Sequence, residues 1–182
     1  MGDFEILTER LRLRRLALDD VDALHRVLGD AEAMVWYPAP FTRDQTVEWI
    51  QRWIASYEEL GHGLWAMELR ETGELIGDVG LARQLVDGEH LVEAGWHTRR
   101  DMWGQGYATE GGRASVQWGF DHLGLDRVIS LIRPENVASR RVAEKLGLKP
   151  WRETMRGPGA GWPHTVYSST RDEWQAIASS SA

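Results

Sequence analysis

The chain has 182 residues, with 21 Lys and Arg against 28 Asp and Glu for a net charge of −7, ten tryptophans and no cysteine. At this length one domain is the default, with a core that needs no staples, and the missing cysteine excludes disulfides, thiolate metal sites and a cysteinyl acyl-enzyme. The acidic balance argues against a nucleic-acid partner and favours a cationic substrate such as an amine, and no apolar run approaches the roughly 20 residues that a bilayer-crossing helix needs.

The opening MGDFEILTERLRLR has acidic residues and no apolar h-region, so a secretory signal is not expected and a cytoplasmic location is. Alternation in Leu11-Arg-Leu-Arg14 predicts a half-buried strand over 10–16. Asp19 and Asp20 supply an N-cap signal for a helix to about Leu28. An apolar, proline-broken loop follows over 33–41. Thr42 and Gln45 then form a capping box for a long helix to Leu60, stopped by Gly61 and Gly63. On that helix Trp49 and Trp53 stand four apart and suit packing.

Leu64–Leu69 and Leu75–Leu81 flank Glu71-Thr-Gly-Glu74 as a hairpin, and Asp87-Gly88 turns the chain into a strand over 90–98. A helix runs from Ala108 to about Leu123, and Arg127–Ile132 is β-branched enough to be a strand. Asn136 opens a short helix to Leu146, stopped by Gly147. Strands are expected over 148–155 and 165–169, separated by the glycine-rich loop 157–163, and a terminal helix over 171–178, with 179–182 a frayed tail. Three strands in a row before a glycine turn is not the βαβ rhythm of a dinucleotide fold, and the chain reads as a single mixed α/β domain over 1–182.

The most informative stretch is Trp103-Gly-Gln-Gly-Tyr-Ala-Thr109, between a strand and a helix. Glycines there leave backbone N–H groups bare at the positive end of a helix, which seats a phosphate. An ordinary tight loop is the alternative. Six scattered histidines without His-x-x-x-His spacing give no metal site, and no nucleophile elbow is present.

Glu93-Ala-Gly-Trp96, the 103–109 turn with Glu110, Asn136-x-x-Ser139 and Glu144-Lys-Leu-Gly147 together resemble the GNAT superfamily of acyl-CoA-dependent N-acyltransferases. Thr8–Arg14 and Arg171-Asp-Glu-Trp174 are similar to its ribosomal-protein N-terminal acetyltransferase (RimJ/RimL-like) branch. The likeness covers nearly the whole chain. It implies an α+β domain with a central, mostly antiparallel, twisted sheet, splayed at the cofactor site and covered by helices on both faces. It also implies acetyl-CoA as co-substrate, no metal, and an amine acceptor: a protein N-terminus or a small molecule. A homodimer is compatible with the branch. A non-catalytic CoA-binding sensor or interaction module on the same fold is the alternative.

By that resemblance, Trp103, Gly104, Gln105, Gly106, Tyr107, Ala108 and Thr109 cradle the pyrophosphate, and Trp96, His97 and Thr98 offer backbone groups to the pantetheine arm and the acyl carbonyl. Arg99, Arg100 and Arg113 are phosphate partners or solvated charges. Asn136 contacts the pantetheine or is simply an N-cap. Relatives place an acidic tyrosine seven residues after this asparagine, where this chain has Ala143. Ser139 is then the candidate to stabilise the departing thiolate, with Tyr167 as fallback. For the general base the order is Glu93, His97, His164. Trp36, Tyr37 and Trp162, from the two flanking loops, are expected at the acceptor.

Overall fold

A computed structural model describes residues 4–157, 159 and 161–180. Eight strands form one sheet: β1 (Glu5–Leu7), β2 (Leu11–Arg14), β3 (Leu64–Leu69), β4 (Leu75–Val86), β5 (Glu89–Thr98), β6 (Arg127–Ile132), β7 (Lys149–Arg156) and β8 (Trp162–Thr170). Their spatial order is β1-β2-β3-β4-β5-β6-β8-β7. Every neighbouring pair is antiparallel except β5 and β6, which run parallel and share a single register pair, Glu93 with Ile129. Among the described residues five α-helices cover the sheet: α1 (Val21–Leu28), α2 (Arg43–Leu60), α3 (Tyr107–His122), α4 (Val137–Lys145) and α5 (Arg171–Ser180).

α2 starts where the capping box places it. Thr42 Oγ1 accepts from Gln45 N at 3.2 Å and Gln45 Oε1 accepts from Thr42 N at 2.8 Å. Its buried residues Thr46, Ile50, Trp53 and Tyr57 recur at the i, i+4, i+7 spacing that puts one stripe on the sheet. α1 departs from expectation at its start. Asp20 precedes it but makes no capping bond to it. Its carboxylate turns back to Ala17 N (2.8 Å) and to the Arg14 guanidinium (2.7 and 2.8 Å), because a charged partner holds it more strongly than a helix N–H would.

The hairpin turn is as expected: Asp87 and Gly88 both have positive φ, +50° and +85°, the type I′ geometry that matches strand twist. Both strands it joins are longer than the sequence suggests, since β4 continues past Leu81 to Val86 in register with Glu89–Ala94. β8 begins at Trp162 rather than Thr165, which shortens the loop before it. Residues 158 and 160 of that loop, and residues 181 and 182 of the expected tail, lie outside the described residues. α5 runs to Ser180.

β4 is buried on both faces, so helices lie on both sides of it. Successive residues show which. An ideal Cβ on Gly111 of α3 would lie 2.9 Å from Val79 Cγ1, whereas Asp78 is bonded to Trp49 of α2. On β5, paired with β4, Trp96 therefore faces α3 and His97 faces α2. This alternation separates the two sides of the site.

Candidate active site

One cleft of about 1300 Å³ runs from the Trp103–Thr109 turn, over the β5–β6 junction, to the loop after α1 and the tip of the β7–β8 hairpin. Single-ligand clefts span roughly 300–1,000 Å³, so there is room for two substrates.

The turn end is built by glycine and by a brace. Gly104 and Gly106 have φ of +74° and +86°, a region that L side chains avoid, and a Cβ on Gly104 would meet nothing within 4 Å. The first intrahelical bond of α3 runs from Glu110 N to Gly106 O, so the N–H groups before it have no helical partner. Glu110 ties this turn to the N-terminal strands: its carboxylate accepts from Thr8 Oγ1 (2.6 Å), Arg10 N (2.8 Å) and Arg10 Nε (2.6 Å). Burial would raise the Glu110 pKa, but these bonds outweigh it and the net shift is downward. Arg10 also donates to Gln105 O at 3.0 Å and lies 4.3 Å over the Tyr107 ring.

Past the Glu93–Ile129 pair, β5 and β6 part. Ser130 Oγ donates to Ala94 O at 2.7 Å, and Leu131 N donates to the Glu93 carboxylate at 3.1 Å, where a parallel ladder would have a carbonyl. Ala94 O thus points toward β6, while His97 O lies against Gly77 of β4. Alternation then leaves Trp96 and Thr98 with their main-chain groups on the open edge. The main chain of His97 is committed to β4, and only its side chain reaches the cleft. Thr98 O is taken by Trp103 Nε1 at 2.7 Å, and Thr98 Oγ1 is buried with no partner among the described residues.

On the α2 side the cleft holds a chain of four groups. Trp49 Nε1 donates to Asp78 Oδ2 at 2.7 Å, His97 Nδ1 lies 2.7 Å from Asp78 Oδ1, and His97 Nε2 lies 2.6 Å from the Tyr37 hydroxyl. Asp78 is fully buried. As a carboxylate it only accepts, so Nδ1 carries the proton and Nε2 of the neutral ring accepts from Tyr37. Desolvation of the hydroxyl in the cleft first, then the charges of Glu93 and Asp78, push the Tyr37 pKa up, so the hydroxyl keeps its proton. Glu93 shares this face. Its oxygens accept from Leu131 N and from Gln84 Nε2 (2.6 Å), and burial raises its pKa.

The family model described as "Acetyltransferase (GNAT) domain" matches residues 10–149. The chain belongs to the GNAT acetyltransferase family. It is 34% identical over 153 residues to protein YkkB of Bacillus subtilis, covering 84% of this chain and 88% of that one. The crystal structure of a GNAT-family acetyltransferase from Bacillus anthracis superposes with a TM-score of 0.79 at 26% identity, over 93% of this chain and 99% of that one. A ribosomal-protein-S5-alanine acetyltransferase from Vibrio fischeri shares the fold, with a TM-score of 0.76 at 18% identity over 94% and 99% of the two chains. The mixed α/β domain with its mostly antiparallel sheet is the GNAT fold.

Within this GNAT domain the other sequence-selected residues sit as follows. Asn136 is an N-cap, its Oδ1 accepting from Ser139 N at 3.1 Å, and both residues line the cleft. Ala143 is fully buried, and Tyr167 is buried with its hydroxyl accepting from Arg140 at 3.0 Å, so the fallback acid is away from the cleft lining. Arg99 pairs with Glu74 and Asp101, Arg100 with Asp30 and Glu32, and Arg113 donates to Lys145 O. His164 borders the cleft with Nδ1 at Trp162 O. Trp36, Tyr37 and Trp162 all reach the cleft. Sequence reasoning did not single out Asp78, Trp49 as its partner, or the Thr8–Arg10–Glu110 brace. The one available signal was an aspartate inside the apolar run Ile76-Gly-Asp-Val-Gly-Leu81. Among the described residues no cluster of metal-ligating side chains occurs, and no helix is long and apolar enough to cross a membrane.

Proposed function

We propose that this chain transfers an acetyl group from acetyl-CoA to a primary amine, as an N-acetyltransferase working through a ternary complex. The observation that carries this reading is the parting of β5 and β6 beside the bare N-terminus of α3. The gap offers the edge groups of Trp96 and the N–H of Thr98 to an amide-bearing arm, and the turn offers N–H groups to a pyrophosphate, in one continuous cleft.

In this reading the amine nitrogen attacks the thioester carbonyl and the C–S bond breaks, the electron pair leaving with sulfur. The amine gives its proton to the Tyr37 hydroxyl, which passes its own to His97 Nε2. Asp78 fixes the tautomer that makes Nε2 the acceptor and stabilises the imidazolium that forms. Glu93, first choice on sequence, instead spans the strand gap with both oxygens engaged. Ser139, lining the cleft at the start of α4, stabilises the thiolate, and water supplies its proton.

The test is thiol release, followed with dithionitrobenzoate, from acetyl-CoA against a panel of amines and N-terminal peptides. Amine-dependent release that saturates in acetyl-CoA is expected. Acetyl-CoA binding without turnover on any acceptor would point instead to a sensor, and no binding would overturn the reading. Ribosomal-protein peptides belong in the panel, since the Vibrio fischeri fold relative is a ribosomal-protein-S5-alanine acetyltransferase.

A further inference from the structure

The acceptor end of the cleft is not charged like the rest of the chain. Arg133, the first residue after β6, has its guanidinium 5.6 Å from the Trp36 ring and 5.6 Å from the Trp162 ring. These rings come from the loop after α1 and from the start of β8, so one arginine joins the two loops that roof the cleft. Its side chain is only 23% exposed, yet among the described residues its one ion pair is a 3.7 Å contact to Glu135, itself 57% exposed. That separation is too long for a hydrogen bond, and Arg133 Nε is buried with no partner among the described residues.

A guanidinium cannot shed its charge, and its planar edge is made for a carboxylate. Leaving it about three-quarters buried with only one distant, largely exposed carboxylate beside it is costly unless a closer anion is supplied. The next cation in the cleft repeats the pattern. Arg156 bonds only neutral acceptors, Leu85 O at 2.9 Å and Gln84 Oε1 at 2.8 Å, and makes no ion pair among the described residues. The acids in the lining are held elsewhere or at a distance: Glu32 is paired with Arg100, Glu93 accepts from Leu131 and Gln84, and Glu135 approaches Arg133 only to 3.7 Å. His164, beside both arginines, has its pKa lowered by burial and then by their charges, so it remains neutral near pH 7.

We propose that the acceptor is an amine that also carries a carboxylate, and that Arg133, held between Trp36 and Trp162, is the residue that binds this carboxylate while the amine is presented to the Tyr37–His97 pair. This rests on the acetyltransferase reading above. It excludes polyamines and aminoglycosides as preferred acceptors and leaves two sources of the carboxylate: a free amino acid, or an acidic side chain next to a peptide N-terminus.

The experiment measures kcat/KM with acetyl-CoA for matched acceptors: a free α-amino acid, its carboxamide and its decarboxylated amine, for several side chains, and N-terminal peptides with Glu or Gln at the second position. The acid member is expected to exceed its neutral partners by about 10- to 100-fold, the worth of one charge-assisted bidentate contact. Preference within the amino-acid sets or within the Glu/Gln peptide pair tells the two sources apart. In Arg133→Met that ratio is expected to collapse toward one through KM, and Arg133→Lys to keep part of it. Acetyl-CoA affinity measured alongside shows that each variant folds. Equal use of acid and neutral members, or a ratio that Arg133→Met leaves intact, overturns this proposal while sparing the acetyltransferase. No turnover of any amine would overturn both.

Discussion

Replacing Asp78 by asparagine separates the chemistry of the cleft from its packing. The two groups bonded to Asp78 differ in what they can do: Trp49 Nε1–H only donates, whereas an imidazole nitrogen can donate or accept. In Asp78→Asn the single amide oxygen must therefore face Trp49, and the NH₂ must face His97 Nδ1. Nδ1 then becomes the acceptor, the ring proton moves to Nε2, and Nε2 can no longer take a proton from Tyr37. Every hydrogen bond is remade, so the loss is only the charge assistance of the pair, about 1–2 kcal/mol. For a chain of this size that lowers Tm by roughly 2–8 °C. Loss of the base is expected to lower kcat by about 10²- to 10⁴-fold. Thermal melts and thiol-release kinetics on the same preparation read both quantities. A variant within about threefold of the parent in kcat would refute the role given to His97.

Other substitutions reach the remaining parts. Gly106→Val puts a branched side chain at φ +86° on the rim of the turn, and should raise the Kd for acetyl-CoA by at least about tenfold in calorimetry; unchanged affinity would place the pyrophosphate elsewhere. Glu93 has a raised folded pKa, so its contribution to stability is full below the ordinary value of 4.5 and is lost as pH rises through the raised one. Glu93→Gln cannot ionise, so its Tm relative to the parent should climb as pH rises from about 4.5, and parallel Tm–pH curves would contradict the burial argument. Glu110 is the opposite case. Its folded pKa lies below 4.5, so its stabilisation is present above that value and disappears as pH falls through the depressed one. Glu110→Gln should lose about 2 kcal/mol at pH 7, with the deficit shrinking under acid, and a pH-independent deficit would count against the Arg10 brace.

The features legible in the sequence are those written locally. The Thr42–Gln45 capping box, the Asp87-Gly88 turn and the 3.6-residue stripe of α2 each depend on residues a few positions apart. β1 escaped notice because three residues, exposed at both ends, leave no periodicity to read. The end of β4 was placed too early because Ala82–Val86 are held by pairing with β5 rather than by their own pattern. The glycine turn was legible as a place in the fold, between β5 and α3, because its glycines and the helix that follows are contiguous in the sequence. The acceptor side is made of side chains brought from far apart: Tyr37, Asp78 and His97 for the proton path, and Trp36, Arg133 and Trp162 for the roof. No spacing rule joins them. His97 was chosen partly for its backbone, and it is the side chain that meets the cleft.

The most direct test of the central claim is a calorimetric titration of acetyl-CoA into the intact chain. Saturable one-to-one binding, weakened when the 103–109 turn is blocked by Gly106→Val, is the result that a CoA-binding cleft at the β5–β6 gap requires. No heat and no competition by CoA at millimolar concentration would contradict it.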